Sequence, residues 1–300
     1  MIKRRLTANL ILLLAAVIWG FAFVAQRKGM DYIGPFLFNG IRFLMGAIFI
    51  LPVALHFKKK NKISGPVFST SEMTSGALLG LFLFLGASAQ QIGITSTTAG
   101  NAGFITGLYV IFVPIISIIF RQKIPKIIWP AAMLSLAGLY LLSVQDNFTI
   151  FRGDVWVFAG AFLWAIHVLL IGLFTQKHEP VSLAFIQFIA CGILSMAAAL
   201  SFETIQAESI YLAWGPLLYG GIMSVGIAFT LQLVGQQNAH PATASLLLSS
   251  ESLFAALGGW LILNETMTMK AMIGCAFILS GIILVQIFQQ VKINKKKVIV

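Results

Sequence analysis

Apolar runs of 18 to 25 residues, separated by short polar stretches, recur along the chain near residues 7 to 25, 34 to 56, 74 to 94, 99 to 120, 127 to 144, 155 to 174, 180 to 201, 211 to 235, 241 to 263 and 271 to 291. A helix crossing about 30 Å of hydrocarbon at about 1.5 Å per residue needs about 20 such positions. The pattern therefore predicts ten membrane-spanning helices joined by connections too short for a soluble domain. Eight of the runs carry no Asp, Glu, Lys or Arg, the exceptions being Arg42 in the second and Glu251 in the ninth.

Composition narrows the class further. With 300 residues, 59% hydrophobic and 10% charged, and a mean hydropathy of +0.94, the chain has too little charge to solvate a globule, a disordered segment or a nucleic-acid-binding fold. The first run follows Lys3, Arg4 and Arg5 but no small-residue cleavage site precedes a soluble region, so a retained first span is expected rather than a signal peptide. Cys191 and Cys275 fall inside apolar runs, as inert packing thiols do, and form neither a metal motif nor a disulfide framework. No cofactor is expected.

The net charge of +11 is unevenly placed. With the N-terminus inside, the inner segments hold fifteen basic residues: Lys3, Arg4, Arg5, Lys58, Lys59, Lys60, Lys62, Arg121, Lys123, Lys126, Lys177, Lys292, Lys295, Lys296 and Lys297. The outer segments hold four, Arg27, Lys28, Arg152 and Lys270. This asymmetry predicts a multi-pass protein of the cytoplasmic membrane with both termini cytoplasmic. The basic tail is explained by anionic lipid at the membrane surface, without nucleic acid.

The two halves of the chain resemble each other. A shift of 145 residues lays AAVIWGFAFV at 15 to 24 over GAFLWAIHVL at 160 to 169, matching Trp19 with Trp164 and Arg42 with Gln187. With small offsets, Gln90 and Gln91 meet Gln236 and Gln237, and Gly138 meets Gly281. Each half then has five spans, and because five is odd the second must enter the membrane inverted. The expected fold is an all-α integral membrane bundle of two inverted five-helix repeats, residues 1 to 148 and 149 to 300. Such repeats rock about a midplane site that they expose to each side in turn.

Several of these segments are similar to the EamA-type members of the drug/metabolite transporter superfamily. AAVIWGFAFVAQ at 15 to 26 and PFLFNGIRFLMGAI at 35 to 48 resemble the family's opening Trp-Gly span and Arg-bearing second span. ESLFAALGGWLILNETMT at 251 to 268, from Glu251 to Glu265, resembles its Glu-Pro start and Gly-Glu ending. Ser252 replaces the usual Pro, Asn264 the usual Gly, and Arg121, Gln122 and Lys123 stand where the first half would carry an acidic ending. The resemblance implies a secondary transporter that exports or exchanges small metabolites such as amino acids, nucleosides or drugs.

Polar residues inside apolar spans mark candidate sites, because hydrocarbon gives them no partner. Glu251 lies ten residues beyond Pro241, near mid-bilayer. Burial favours the protonated form of a carboxyl, making Glu251 the proton-coupling candidate as readily as a neutral interhelical hydrogen-bonder. Arg42, always charged, could hold a substrate carboxylate, pair with Glu251, or bond helix carbonyls, with the structural role preferred because the family pattern carries this Arg whatever the substrate. His167 could sense pH or simply fill the core. Gln90, Gln91, Gln187 and Gln232 offer amides to a cavity or to neighbouring helices. Trp19, Trp164 and Tyr109 could wall the cavity. Ala99, Gly103 and Gly107 give the fourth span a small face, and Pro114 bends it. Ser245, Ser249, Ala255 and Gly259 are the counterpart on the ninth, so spans four and nine should cross with Asn101, Tyr109, Ser249 and Glu251 nearest the solute.

Two rivals are weighed against a transporter. An intramembrane enzyme could use a buried Glu and His, but no HExxH, GxSxG or paired-Asp arrangement is present, and no phosphate loop couples the chain to ATP. A lipid flippase would use the same cavity residues. A small-molecule substrate and membrane lipid are the expected partners, with a second copy of the chain as a further candidate. The topology is checked by cysteines placed singly at Lys28 and His178, which are expected to react with an impermeant thiol reagent from opposite faces of the membrane.

Overall fold

The computed structural model describes residues 2 to 60, 67 to 97, 99 to 121, 123 to 143, 151 to 263 and 266 to 298, so Lys62, Gln122, Asn264 and Glu265 lie outside the described residues. The described residues form an all-helical bundle. Five helices make the first half: α1 (Ile2–Gly29), α2 (Pro35–Lys60), α3 (Thr70–Ile94), α4 (Ala99–Gly107, resumed as Tyr109–Ile119) and α5 (Ile128–Ser143). The second half has α6 (Arg152–Phe174), α7 (Pro180–Phe202), α8 (Trp214–Leu218, Tyr219–Phe229 and Thr230–Gln236), α9 (Pro241–Leu248, resumed as Glu251–Leu263) and α10 (Met269–Val298). Among the described residues nine of these ten are long and apolar enough to cross a membrane, and the apolar part of α5, Ile128–Leu142, is shorter. A short helix, Ala207–Leu212, precedes α8 and was not foreseen in the apolar pattern.

The packing has the symmetry of two inverted repeats. Equivalent helices pair across the halves: α2 on α7, α5 on α10, and α4 across α9. Likewise α3 packs on α6 and α7, as α8 packs on α1 and α2. Without a hydrophobic drive between helices in lipid, close approach through small residues supplies the attraction. A Cβ on Gly138 would come within 2.5 Å of the Gly274 carbonyl, and one on Gly274 equally close to that of Gly138. On α8, a Cβ at Gly221 would meet Met45 of α2 at 2.8 Å, while one at Gly46 would collide with Val225.

Helix ends are tied by local polar chemistry. Ser69 caps α3 by accepting from Glu72 N, and Glu72 pairs with Lys58 at the end of α2. The Glu203 carboxylate, at the end of α7, accepts from Phe36 N and Leu37 N at 2.8 Å each, placing negative charge at the N-terminus of α2. Gly34 leaves the room for it, since a Cβ there would collide with the Glu203 carboxyl group.

Two helices break where the halves cross. α4 is interrupted at Leu108, more than a turn before Pro114, rather than only bending at the proline. α9 is interrupted at Ser249 and Ser250. The hydroxyls of Ser245, Ser249 and Ser250 each donate to the carbonyl three residues earlier, a back-bonding that competes with regular helix. Across the crossing, Ser252 Oγ donates to the Gly103 carbonyl at 2.7 Å. α8 departs from the expected helix in another way, winding as a π-helix over Tyr219–Phe229. Such winding is rare and is frequent at functional sites when it occurs.

Gly138→Val is expected to lower stability by about 1–3 kcal/mol, because overpacking must push α5 from α10. Thermal unfolding in detergent measures the loss, with Gly215→Ala, where a Cβ meets nothing within 4 Å, as the neutral control.

Candidate functional site: a cavity between the two halves

A cavity with about 490 Å³ of empty space, its open mouth included, lies between the repeats. The first half contributes Trp19, Phe23 and Gln26 of α1, Arg42 of α2, Gln90 of α3, and Thr106 and Tyr109 of α4. The second contributes Trp164 and Val168 of α6, Ser224, Phe229 and Gln232 of α8, and Leu248 and Glu251 of α9. The breaks in α4 and α9 bear directly on it: Tyr109 and Glu251 are the first residues after the respective interruptions, and their side chains are polar neighbours. Interrupted helices at corresponding positions of two repeats are a recurrent setting for transport sites.

The two tryptophans reach across the halves in equivalent ways. Trp19 Nε1 of α1 donates to the Ser224 carbonyl of α8 at 3.2 Å, and Trp164 Nε1 of α6 donates to Gln90 Oε1 of α3 at 2.9 Å. One acceptor is a backbone carbonyl inside the π-helical stretch and the other is a side chain. Phe229 lies between them, its ring 4.6 Å from Trp19 and 5.9 Å from Trp164. Glutamines tie the third helix of each half to the first. Gln90 Nε2 and Gln91 Nε2 donate to Gln26 Oε1 and its carbonyl, while Gln236 Nε2 and Gln237 Nε2 donate to the carbonyls of Val168 and Thr175.

The cavity walls extend to both sides of mid-depth, with Val168, Phe229, Gln232 and Leu248 in the halves of their helices away from the face where α1 ends and α2 begins. Gln26, Arg42, Gln90 and Thr106 all lie in the halves of their helices nearest that face. At the opposite face Gly235 of α8 packs against Leu12 of α1 across the halves, and Gly172 of α6 packs against Pro241 of α9. Every residue from 242 to 253 of α9 is buried, whereas Asn101, Phe104, Ile105 and Leu108 in the equivalent part of α4 are half-buried.

Polar atoms in the walls are left poorly bonded by protein. Gln232 Oε1 has no hydrogen-bond partner among the described residues, whereas Tyr109 OH and Glu251 Oε1 face each other without a bond of good geometry. Arg42 is 3% exposed, and its Nε donates to Asn39 Oδ1 at 3.0 Å while the guanidinium lies over Phe43 at 5.0 Å and Phe38 at 5.4 Å. The pairing of Arg42 with Glu251 weighed from the sequence does not occur: the ion pairs among the described residues are Arg27 with Asp31 and Lys58 with Glu72. Arg42 instead approaches Gly220 of α8, where a Cβ would sit 3.4 Å from its Cδ.

Of the residues singled out from the sequence, Trp19, Gln90, Tyr109, Trp164, Gln232, Glu251 and Arg42 line the cavity. Gln91, Asn101, His167, Gln187 and Ser249 are not among its walls. His167 Nε2 and Gln187 Oε1 are bonded to each other at 3.0 Å between α6 and α7, a buried helix-to-helix contact. Gln91 is turned to the α1 backbone, and Ser249 to its own helix. Phe23, Gln26, Thr106, Val168, Ser224, Phe229 and Leu248 complete the walls and were not expected there. The spacing of Gln26 after Trp19, two turns along one face, was the available signal for it.

Residues 6 to 144, and again 151 to 287, match the EamA-like transporter family. The chain belongs to that family. An uncharacterized transporter of Archaeoglobus fulgidus is 32% identical to it, over 95% of this chain and 87% of the relative. The uncharacterized transporter YoaV of Bacillus subtilis is 24% identical, covering 89% of this chain and 92% of its own. The uncharacterized inner membrane transporter YedA of Escherichia coli is also 24% identical, covering 90% and 87%. A solved crystal structure superposes with a TM-score of 0.74 at 19% identity, over 94% of this chain and 96% of that one, which establishes the shared fold. The protein is thus a multi-pass membrane transporter.

Trp164→Phe keeps a ring against Phe229 but removes the bond to Gln90. It is expected to cost about 1 kcal/mol of stability, and Trp164→Ala more through the volume it empties. Chemical or thermal unfolding in detergent, compared with Trp19→Phe, reads both.

Proposed function

We propose that this transporter is a secondary carrier that exports small organic metabolites of the size of amino acids, nucleosides or drugs across the cytoplasmic membrane by alternating access. The observation that carries the reading is the cavity itself: it lies between two inverted repeats and draws walls from both. Rocking of the halves would move the contacts that bridge them, such as Gly235 of α8 against Leu12 of α1, and leave the glutamine bonds within each half in place.

The cavity walls support a binding mode for a flat solute. Trp19, Trp164 and Phe229 provide aromatic faces, and Gln26, Gln90 and Gln232 provide amides that fix orientation. Glu251, 5% exposed at the start of the second part of α9, has one oxygen that faces Tyr109 OH without a bond of good geometry and is the group placed to exchange a proton with the cavity.

Reconstituted into liposomes, the protein is expected to exchange labelled amino acids or nucleosides in a counterflow assay and to leave labelled phospholipid in its original leaflet. Movement of the lipid with no solute exchange would replace this reading with a flippase. Glu251→Gln is expected to keep solute exchange but lose accumulation driven by a pH gradient. Unchanged gradient-driven accumulation in that variant would remove Glu251 as the proton carrier.

A further inference from the structure

Among the described residues Arg42 is a buried charge with few partners. An arginine carries five N–H donors and stays protonated at any physiological pH. Here Nε is used by Asn39, and no hydrogen bond from either terminal nitrogen to a protein acceptor occurs among the described residues. The two phenylalanine rings attract the flat face of the cation, but they leave its N–H edge free. Arg42 is one of the residues that line the cavity. The Asn39 amide holds Nε by its oxygen, so the guanidinium is held in place, and Asn39 Nδ2 itself has no acceptor.

A fixed cation in a low-dielectric wall is costly unless something neutralises it. A structural arginine meets that cost with a carboxylate or a ring of carbonyls, and neither bonds Arg42 among the described residues. Glu251, the other ionisable wall residue at mid-membrane, has an oxygen that faces Tyr109 OH without a bond of good geometry. The two groups line one cavity without forming an ion pair with each other.

We propose that Arg42 is the anion subsite of this cavity, and that the solute it takes is a small, flat organic acid whose carboxylate engages the guanidinium. The occupant rests on the transporter reading above; the subsite does not. A carboxylate matches the planar fork of an arginine through two parallel hydrogen bonds. The body of the acid packs on Trp19, Trp164 and Phe229, and a donor group at its far end meets the acceptors of Gln232 and Glu251. Selectivity then follows from charge: a neutral amide of the same shape cannot compensate Arg42.

Phenylglyoxal labelling of the native protein in nanodiscs tests this while the transported solute is still unidentified. Modification of Arg42 is followed by mass spectrometry against exposed Arg121 as reference. Benzoate, phenylacetate and indole-3-carboxylate are the probes, with benzamide, phenylacetamide and indole-3-carboxamide as their neutral partners. At least one acid is expected to slow modification of Arg42 while its amide does not, and Arg121 should be indifferent to both. In thermal-shift measurements Arg42→Gln is expected to weaken binding of the protecting acid by about tenfold or more. The proposal is overturned if no acid protects, if the amides protect equally, or if Arg42 stays unreactive while Arg121 is modified. Labelling uses the native chain, so it decides the matter even where Arg42→Gln fails to fold. It also reads binding alone, so an absent subsite is told apart from absent transport, which only the counterflow assay reports.

Discussion

Hydrocarbon offers no hydrogen bond to a peptide group, so a chain within it must be helical wherever lipid can reach it, and may leave the helix only where protein or a watery cavity surrounds the backbone. In this transporter the irregular backbone obeys that limit. The breaks in α4 and α9 and the π-helical stretch of α8 all lie where the two repeats meet. Ser250, Glu251 and Ser252 are buried on every side by protein. The freed groups find partners there: serine hydroxyls take the carbonyls of α9, Ser252 takes the Gly103 carbonyl, and Trp19 takes that of Ser224.

The same constraint organises the cavity. Because irregular backbone is confined to the interface between repeats, so are the residues that a break re-aims. Tyr109 and Glu251 begin the resumed helices, and each is carried into the cavity by the interruption just before it. The π-helical segment does the equivalent for Ser224 and Phe229. Phe229 in turn touches both tryptophans, which makes one aromatic side chain the common neighbour of the two halves at the depth where a solute would sit.

The repeats are alike in their bonds and unlike in their burial. Glutamine pairs at the ends of α3 and α8 each tie back to the first helix of their own half. Yet the start of α9 is wholly buried and the start of α4 is only partly so. Pseudo-symmetry in sequence is thus accompanied by asymmetry in packing. The glycine seams at Gly138 with Gly274 and at Gly46 with Gly221 hold helix pairs that bridge the halves.

The run lengths, the odd number of spans per half and the matched tryptophans and glutamines determined the bundle and its inverted duplication by themselves, because span length and side-chain period are properties of single helices in a solvent of known thickness. Which polar residues share the cavity was decided only by tertiary structure. Gln90 and Gln91 are neighbours in sequence, yet one lines the cavity and the other turns to the α1 backbone; His167 and Trp164 are one turn apart, yet His167 is taken by Gln187. Helical period gives the angle between side chains but not the rotation of the helix against its neighbours, and it assumes an unbroken helix. The interruptions at Leu108 and Ser249 and the π-winding of α8 each shift that angle by a fraction of a turn, enough to choose whether a side chain meets the solute or the next helix.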